Sequence, residues 1–166
     1  MGGEAVSVSL RPFLPADGPP LARLFRESVE ILAEDDYSEA QRVAWSSAAD
    51  DLPRFIERLA QSLTLVAARD GAMAGFASLA GDRIDMLYVH PEHAGQGVAT
   101  ALVDALERLA SARNLPALTT DASDTARDFF AARGYVAMQR NSVSLHGEWL
   151  ANTTMKKQLT PAGATR

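Results

Sequence analysis

Apolar and polar positions in the first half of the chain predict one strand followed by three helices. Apolar residues alternate with polar ones from Val6 to Leu10, and Pro12 follows, which is typical of an edge strand. Apolar residues at helical spacing then predict a first helix, and they are Leu21, Leu24, Phe25 and Leu32. Ser38 and Gln41 form a capping-box pattern that opens a short second helix, and Asp51 caps a third.

Three short apolar runs in the middle of the chain predict an antiparallel meander. The runs are Thr64 to Arg69, Met73 to Leu79 and Arg83 to Val89. Asp70-Gly71 and Gly81-Asp82 separate them, and these dipeptides are favoured in tight turns.

The last third of the chain alternates helices and strands. A helix has apolar residues at Val98, Leu102, Leu106 and Leu109. A strand over Ala117 to Asp121 follows, then a helix that Ser123 caps and Gly134 ends, and then strands from Tyr135 to Leu159. The order predicts an α+β fold, in which helices flank one mixed, mainly antiparallel sheet. We expect a single domain over residues 1–166, with a flexible tail over residues 160–166.

Composition and charge narrow the class of function. A formal net charge of −5 argues against a nucleic-acid partner, because proteins bind the phosphates of DNA and RNA with clustered Lys and Arg. The sequence has no cysteine, which excludes a cysteine acyl-enzyme, and the three histidines have no partners at metal-ligand spacing, so no metal site is expected. No targeting signal or long apolar run is present, and we expect a cytoplasmic protein without a membrane partner.

The most informative segment runs from Ile84 to Leu102, where a strand leads through a glycine-containing loop into a helix. Unpaired N–H groups and the positive end of the helix dipole make such a helix start suitable for a pyrophosphate. Gly95 and Gly97 allow the backbone to approach a ligand closely. A tight turn without any ligand is the alternative interpretation.

The sequence around this loop resembles the acetyl-CoA motif of the GNAT superfamily of N-acetyltransferases, whose pattern is Arg/Gln-x-x-Gly-x-Gly/Ala. Gly97 and Ala99 match its second half, while Ala94 replaces the leading Arg or Gln. A second segment, Ser123-x-x-Ala126-x-x-Phe129-Phe130 followed by Gly134-Tyr135, resembles the family's Asn-x-x-Ala-x-x-Leu-Tyr segment. The resemblance covers most of the chain, from Leu10 to about Leu159.

The resemblance implies a bound acetyl-CoA as co-substrate. Its pantetheine arm would lie where the strand ending at Val89 splays from the strand that starts at Ala117. The residues implied to contact it are Leu87, Val89, Gly95, Gln96, Gly97, Val98, Ala99, Thr100, Ser123 and Phe130.

Asp85 and Tyr37 are the catalytic candidates. Asp85 interrupts an apolar strand two residues before Leu87, so regular alternation places its side chain on the face of Leu87 and Val89, where it could act as a general base. Tyr37 could bind the acceptor or protonate the leaving thiolate, because Phe130 stands where the family often has the acidic Tyr. A hydrogen-bonded strand aspartate and a packing tyrosine are the alternatives.

The predicted activity is direct acetyl transfer to a primary amine, on a small molecule or a peptide, in a ternary complex. A catalytically silent acyl-CoA-binding module is one alternative. A dinucleotide-binding enzyme is another, although the loop lacks the three-glycine spacing of that class. The identity of the acceptor and the oligomeric state, including a homodimer, stay open.

Overall fold

A computed structural model of the chain describes residues 7–160. The start of the predicted first strand, at Val6, and the predicted tail from Pro161 onward lie outside the described residues. The helices are α1 (Gly18–Leu32), α2 (Glu39–Ser46), α3 (Leu52–Gln61), α4 (Val98–Ala112) and α5 (Arg127–Ala132). The strands are β1 (Ser9–Pro12), β2 (Leu63–Arg69), β3 (Ala72–Ala80), β4 (Arg83–Val89), β5 (Ala117–Ser123), β6 (Val136–Leu145) and β7 (Glu148–Gln158).

The seven strands form one sheet in the order β1-β2-β3-β4-β5-β7-β6. Every neighbouring pair is antiparallel except β4 and β5, which are parallel. The predicted α+β class with a mixed, mainly antiparallel sheet is therefore confirmed. Pro12 lies within β1 rather than after it, because an edge strand has one side without a partner that needs its N–H.

Two apolar layers cover opposite faces of the sheet. The layer beneath α4 is a cluster that includes Leu102, Leu106 and Leu118. The layer beneath α1 and α3 is a second cluster that includes Phe25, Phe55 and Phe76. A side chain on β4 therefore contacts one of two different environments, depending on the face from which it projects.

The helix starts follow the capping chemistry of the sequence. Ser38 and Gln41 form the reciprocal pair at the start of α2, where the Gln41 N–H donates to Ser38 Oγ at 3.2 Å and the Ser38 N–H donates to Gln41 Oε1 at 2.8 Å. Asp51 accepts from the N–H of Arg54 at 3.2 Å and caps α3. These local bonds fix where α2 and α3 begin, while α2 contacts β7 and α3 contacts β2.

Candidate active site

A gap opens between β4 and β5 because their pairing ends after two residues. Arg83 pairs with Thr119 and Ile84 with Thr120, whereas β4 continues to Val89 and β5 to Ser123 without further pairing. Thr120 Oγ1 donates to the Ile84 carbonyl at 3.1 Å at the last paired position. Beyond this point, the backbone N–H and C=O groups with which β4 and β5 face each other are available to a ligand in the gap. The splayed strand pair expected from the sequence has this arrangement.

The start of α4 lies at one end of this gap. Gly97 precedes the helix with a φ of 81°, a left-handed conformation that glycine adopts without steric cost, and no side chain caps the first turn. A Cβ added at Gly95 or Gly97 would meet no atom within 4 Å, so the space in front of the loop is open. The uncapped N–H groups, the helix dipole and this space together suit an anion such as a pyrophosphate.

A cavity of about 360 Å³ follows the gap from the glycine loop to α5. Nine of the ten residues predicted to contact the cofactor line it, and they are Leu87, Val89, Gly95, Gly97, Val98, Ala99, Thr100, Ser123 and Phe130. Phe130 is 2% exposed and forms part of an apolar wall. Ser123 Oγ accepts from the N–H of Ala126 at 3.1 Å, so it also holds the turn that leads into α5.

Gln96 is the exception among the predicted cofactor residues. Its side chain is exposed, does not line the cavity, and accepts from Arg69 Nη2 at 3.4 Å. Arg69 also lies 3.4 Å from His93 Nδ1, so a cation from the end of β2 contacts both sides of the glycine loop. The sequence pattern does not indicate this contact, because Arg69 lies 25 positions before Ala94, the position at which the family motif has Arg or Gln.

A β-bulge at Asp85 corrects the predicted orientation of that residue. Ser78 pairs with Met86 and Leu79 pairs with Ile84, which leaves Asp85 without a partner on β3. The bulge breaks the alternation of faces. Ile84 packs in the layer beneath α4, whereas Met86 packs in the layer beneath α1 and α3. Asp85 therefore lies on the side of α3, opposite Leu87 and Val89, contrary to the alternation argument.

Asp85 is held between two arginines. Its Oδ2 accepts from Arg58 Nε at 2.8 Å, and its Oδ1 accepts from Arg58 Nη2 at 3.1 Å and from Arg83 Nη2 at 3.0 Å. Burial by itself raises the pKa of Asp85, but the hydrogen bonds and charges of Arg58 and Arg83 outweigh burial and hold the pKa below its usual value. Asp85 is thus a stable carboxylate and a weak proton acceptor.

Tyr37 is a buried cross-link between distant parts of the fold. Its hydroxyl donates to the Ala151 carbonyl at 2.6 Å and accepts from the N–H of Asp124 at 2.9 Å. The residue is 5% exposed, and burial raises the pKa of its phenol. Because the hydroxyl proton is directed to a backbone carbonyl, these contacts favour the packing interpretation of Tyr37 over the acid that the sequence proposed.

Tyr88 is not among the site residues predicted from the sequence, yet it lines the cavity between β4 and β5. Tyr88 accepts a hydrogen bond from Trp45 Nε1 at 3.1 Å, and within residues 7–160 no group accepts the proton of its own hydroxyl. Burial raises the pKa of Tyr88 to about 12, so the phenol keeps its proton near pH 7 and its O–H is available to donate. The ring packs edge-on against Phe25, with centroids 4.6 Å apart.

A second cavity, of about 220 Å³, lies on the α3 side of the gap. Six residues line both cavities, and they are Trp45, Ile84, Asp85, Tyr88, Asp121 and Ser123. Tyr37, Arg58 and Arg83 line the second cavity alone. The two cavities therefore adjoin each other along a shared wall formed by these six residues. The spacing of Arg83 and Asp85, two apart on a strand, was the one sequence signal for this cluster.

Within residues 7–160, no cluster of three His, Cys, Asp or Glu side chains could hold a metal ion. No helix in the same range has the length and apolar content needed to span a bilayer.

Comparisons with known proteins agree with this geometry. Residues 33–159 match the family described as an acetyltransferase (GNAT) domain. The chain is 35% identical over 150 residues to the uncharacterized N-acetyltransferase YafP of Escherichia coli, which covers 90% of this chain and 95% of that protein. It is also similar to the crystal structure of a GCN5-related N-acetyltransferase from Rhodopseudomonas palustris, with a TM-score of 0.91, 57% identity and coverage of 95% and 100% of the two chains.

A more distant structure shares the fold. The PaiA N-acetyltransferase from Thermoplasma acidophilum, solved in complex with coenzyme A, has a TM-score of 0.74 and 16% identity, with coverage of 92% of this chain and 99% of that chain.

Proposed function

Since this chain belongs to the GNAT acetyltransferase family, we propose that it transfers the acetyl group of acetyl-CoA directly to a primary amine within a ternary complex. As a member of this family it is an N-acetyltransferase that uses acetyl-CoA as co-substrate. The observation that carries the proposal is the wall shared by the two cavities. Donor and acceptor can then occupy adjoining spaces at once, and no cysteine is present to carry the acetyl group between them.

The first cavity fits the donor. The uncapped start of α4 would bind the pyrophosphate, and the unpaired edge of β4 at Leu87 and Val89 would bind the pantetheine arm. Acetyl-CoA supplies a thioester carbonyl that is already activated towards amines. The task of the protein is therefore to align a neutral amine with this carbonyl, to exclude water and to manage two protons.

The first proton leaves the amine as the new carbon–nitrogen bond forms. A strong base is not needed for this step if the amine binds in its neutral form, and Asp85 cannot retain a proton near pH 7 because Arg58 and Arg83 stabilise its charge. Water in the second cavity is then the immediate acceptor. Asp85 acts by positioning the two arginines.

The second proton neutralises the negative charge that develops on the departing sulfur. A thiol has a pKa of about 8.5, so its thiolate is a tolerable leaving group that benefits from a hydrogen-bond donor. Tyr88 fits this part, because it lines both cavities, stays neutral, and already accepts from Trp45. Phe130 then serves as an apolar wall of the thioester pocket.

Binding and turnover test the proposal separately. Acetyl-CoA at 100 times its dissociation constant should raise the free energy of unfolding by about 2.7 kcal/mol, whereas NAD should give no change. A broad panel of primary amines, with CoA release as the readout, then tests transfer. Acetyl-CoA binding without CoA release on any amine would favour the silent acyl-CoA-binding module, and a shift with NAD alone would favour a dinucleotide-binding enzyme.

A variant at the glycine loop locates the donor. Gly97→Glu should abolish the shift with acetyl-CoA, since it places a negative charge and a side chain where the pyrophosphate would lie. Gly147→Glu is the matched control: Gly147 has the same φ of 81° and equally open surroundings, but lines neither cavity. Both variants carry the same backbone strain. Equal acetyl-CoA affinity in the two folded variants would place the pyrophosphate elsewhere.

A further inference from the structure

We propose that the acceptor is a small amine that carries a carboxylate close to its amino group, as an amino acid does, and that Arg58 and Arg83 bind this carboxylate. The inference rests on the proposed function, because it names the acceptor for the second cavity. The structural basis is the convergence of an arginine from α3 and one from β4 at a single carboxylate, Asp85, on the wall that the two cavities share.

Asp85 fixes the two guanidinium groups without using up their donors. The Asp85 side chain is 9% exposed and both of its oxygens are occupied, whereas the side chains of Arg58 and Arg83 are 46% and 49% exposed. Each guanidinium has five N–H donors. Arg58 uses Nε and Nη2 on Asp85, and its Nη1 has no partner in residues 7–160. The cluster therefore presents oriented, unused donors to the second cavity.

Paired guanidinium donors suit a planar anion with two oxygens. Arginine binds carboxylates through parallel N–H···O bonds, and such charge-assisted bonds are stronger than those between neutral groups. A carboxylate on the acceptor would accept hydrogen bonds from the guanidinium N–H groups that Asp85 leaves free.

The balance of charge favours a zwitterion over a polyanion or a polycation. Asp85 offsets one of the two arginines, and Asp121 formally offsets the other, so the cluster is neutral before any acceptor binds. The Asp121 side chain is 39% exposed; its Oδ1 accepts from Thr154 Oγ1 at 2.6 Å and its Oδ2 lies 3.4 Å from Arg83 Nη1. A carboxylate can thus be bound by the arginines while Asp121 attracts the ammonium form of the amine, which passes its proton to water before it attacks the thioester.

Aromatic and aliphatic side chains form much of the remaining wall of the second cavity, which Ser123 and Asn152 also line. Tyr37, Trp45 and Tyr88 line one part of it, and Val143, Leu145 and Leu150 line another. At about 30 Å³ per water molecule, a volume of about 220 Å³ holds on the order of seven waters, which limits the enclosed part of the acceptor to a small molecule. We therefore expect an apolar body on the carboxylate-bearing amine.

Matched amines test the carboxylate directly. Rates of CoA release would be measured at saturating acetyl-CoA with phenylalanine, its amide, phenethylamine and aminoethylphosphonate. We expect kcat/KM to be about 10- to 100-fold higher for phenylalanine than for the two analogues without a carboxylate, as loss of a charge-assisted contact predicts. Equal or faster reaction of these two analogues would overturn the inference while the proposed transfer stands. A preference for the phosphonate would replace the carboxylate by a phosphate-like group.

Arginine variants assign the recognition to the cluster. Arg83→Met and Arg58→Met should each lower kcat/KM for phenylalanine at least tenfold more than they lower it for phenethylamine. Arg54→Met is the matched control, because Arg54 is exposed one turn earlier on α3 and lines neither cavity. Acetyl-CoA binding confirms that each variant is folded. Unchanged preference for phenylalanine in both cluster variants would overturn the assignment.

A binding measurement keeps the inference testable without turnover. In the presence of CoA, N-acetylphenylalanine should bind at least tenfold more tightly than N-acetylphenethylamine, and Arg83→Met should remove the difference. Equal binding of the two products would overturn the inference. Failure of the proposed function would appear differently, as an absence of acetyl-CoA binding to the natural protein.

Discussion

Asp85→Asn separates two chemical roles for the residue at the centre of the shared wall. The substitution keeps the shape of the side chain but leaves Arg58 and Arg83 without their common counter-charge. Charge-assisted hydrogen bonds contribute about 1.5 to 3 kcal/mol each, but both arginines are nearly half exposed, and water compensates much of the loss. We expect the free energy of unfolding to fall by about 1 to 2 kcal/mol, with acetyl-CoA binding nearly intact.

The kinetic effect follows from the lowered pKa of Asp85. Even at the ordinary carboxyl pKa of 3.8, fewer than about one Asp85 in 1,000 would be protonated at pH 7, and the arginines reduce this fraction further. If Asp85 positions the arginines, Asp85→Asn should raise KM for a carboxylate-bearing acceptor about tenfold or more while the pH profile of kcat keeps its shape. If Asp85 is instead a general base, kcat should fall by about 100-fold and recover partly at high pH.

Steady-state kcat and KM between pH 6 and 9.5 decide between these outcomes. Asp82→Asn serves as the control, because Asp82 is exposed in the same hairpin and makes no ion pair within the described part of the chain. A large fall in kcat with high-pH rescue in Asp85→Asn, absent from Asp82→Asn, would refute the positioning role.

Acid unfolding provides a second readout on the same variant. The folded-state pKa of Asp85 lies below the usual value, so its contribution to stability is fully present above that value. The contribution is lost as pH falls through the lower folded-state pKa. The stability difference between the natural protein and Asp85→Asn should therefore persist at pH 5 and shrink below about pH 3.8. A difference that grows in acid would contradict the ion-pair geometry.

Three further substitutions test individual side chains. Tyr37→Phe should destabilise the fold by about 1 to 3 kcal/mol, because it leaves the Ala151 carbonyl and the Asp124 N–H without a partner. At a temperature where the variant is folded, kcat should change little, and a sharp loss of kcat would restore Tyr37 as the acid. Tyr88→Phe should lower kcat by about tenfold or more with acetyl-CoA affinity unchanged, and an unaltered kcat would leave the thiolate to be protonated by solvent. Phe130→Ala should lower the free energy of unfolding by about 3 to 5 kcal/mol in denaturant titrations, since the ring is 2% exposed. A loss below about 1 kcal/mol would mean that the ring is not packed.

Local signals in the sequence predicted the elements well. The capping pair Ser38 and Gln41 acts over three residues, and Gly97 adopts the left-handed conformation that a glycine before a helix suggests. Most of the predicted cofactor residues line one cavity because the glycine loop and the start of α4 form a contiguous segment. Such features depend on neighbours along the chain, which a sequence displays directly.

The features that the sequence did not predict depend on tertiary pairing. The bulge at Asp85 is set by the register with β3 and leaves the alternation of residue types in β4 unchanged, so the wrong face was inferred. Tyr37 meets Ala151 across 114 positions, and Arg58 meets Asp85 across 27. The cationic contact from Arg69 to the glycine loop is equally non-local. No periodicity within one element reports such contacts.

Initial-velocity kinetics with both substrates varied test the central claim most directly. If acetyl-CoA and the amine occupy the two adjoining cavities together, CoA release should require the amine, the acetylated amine should appear in equal amount by mass spectrometry, and double-reciprocal plots should intersect. Parallel plots would indicate an acetylated enzyme and contradict direct transfer. Tight acetyl-CoA binding without CoA release on any amine would contradict the enzymatic role itself.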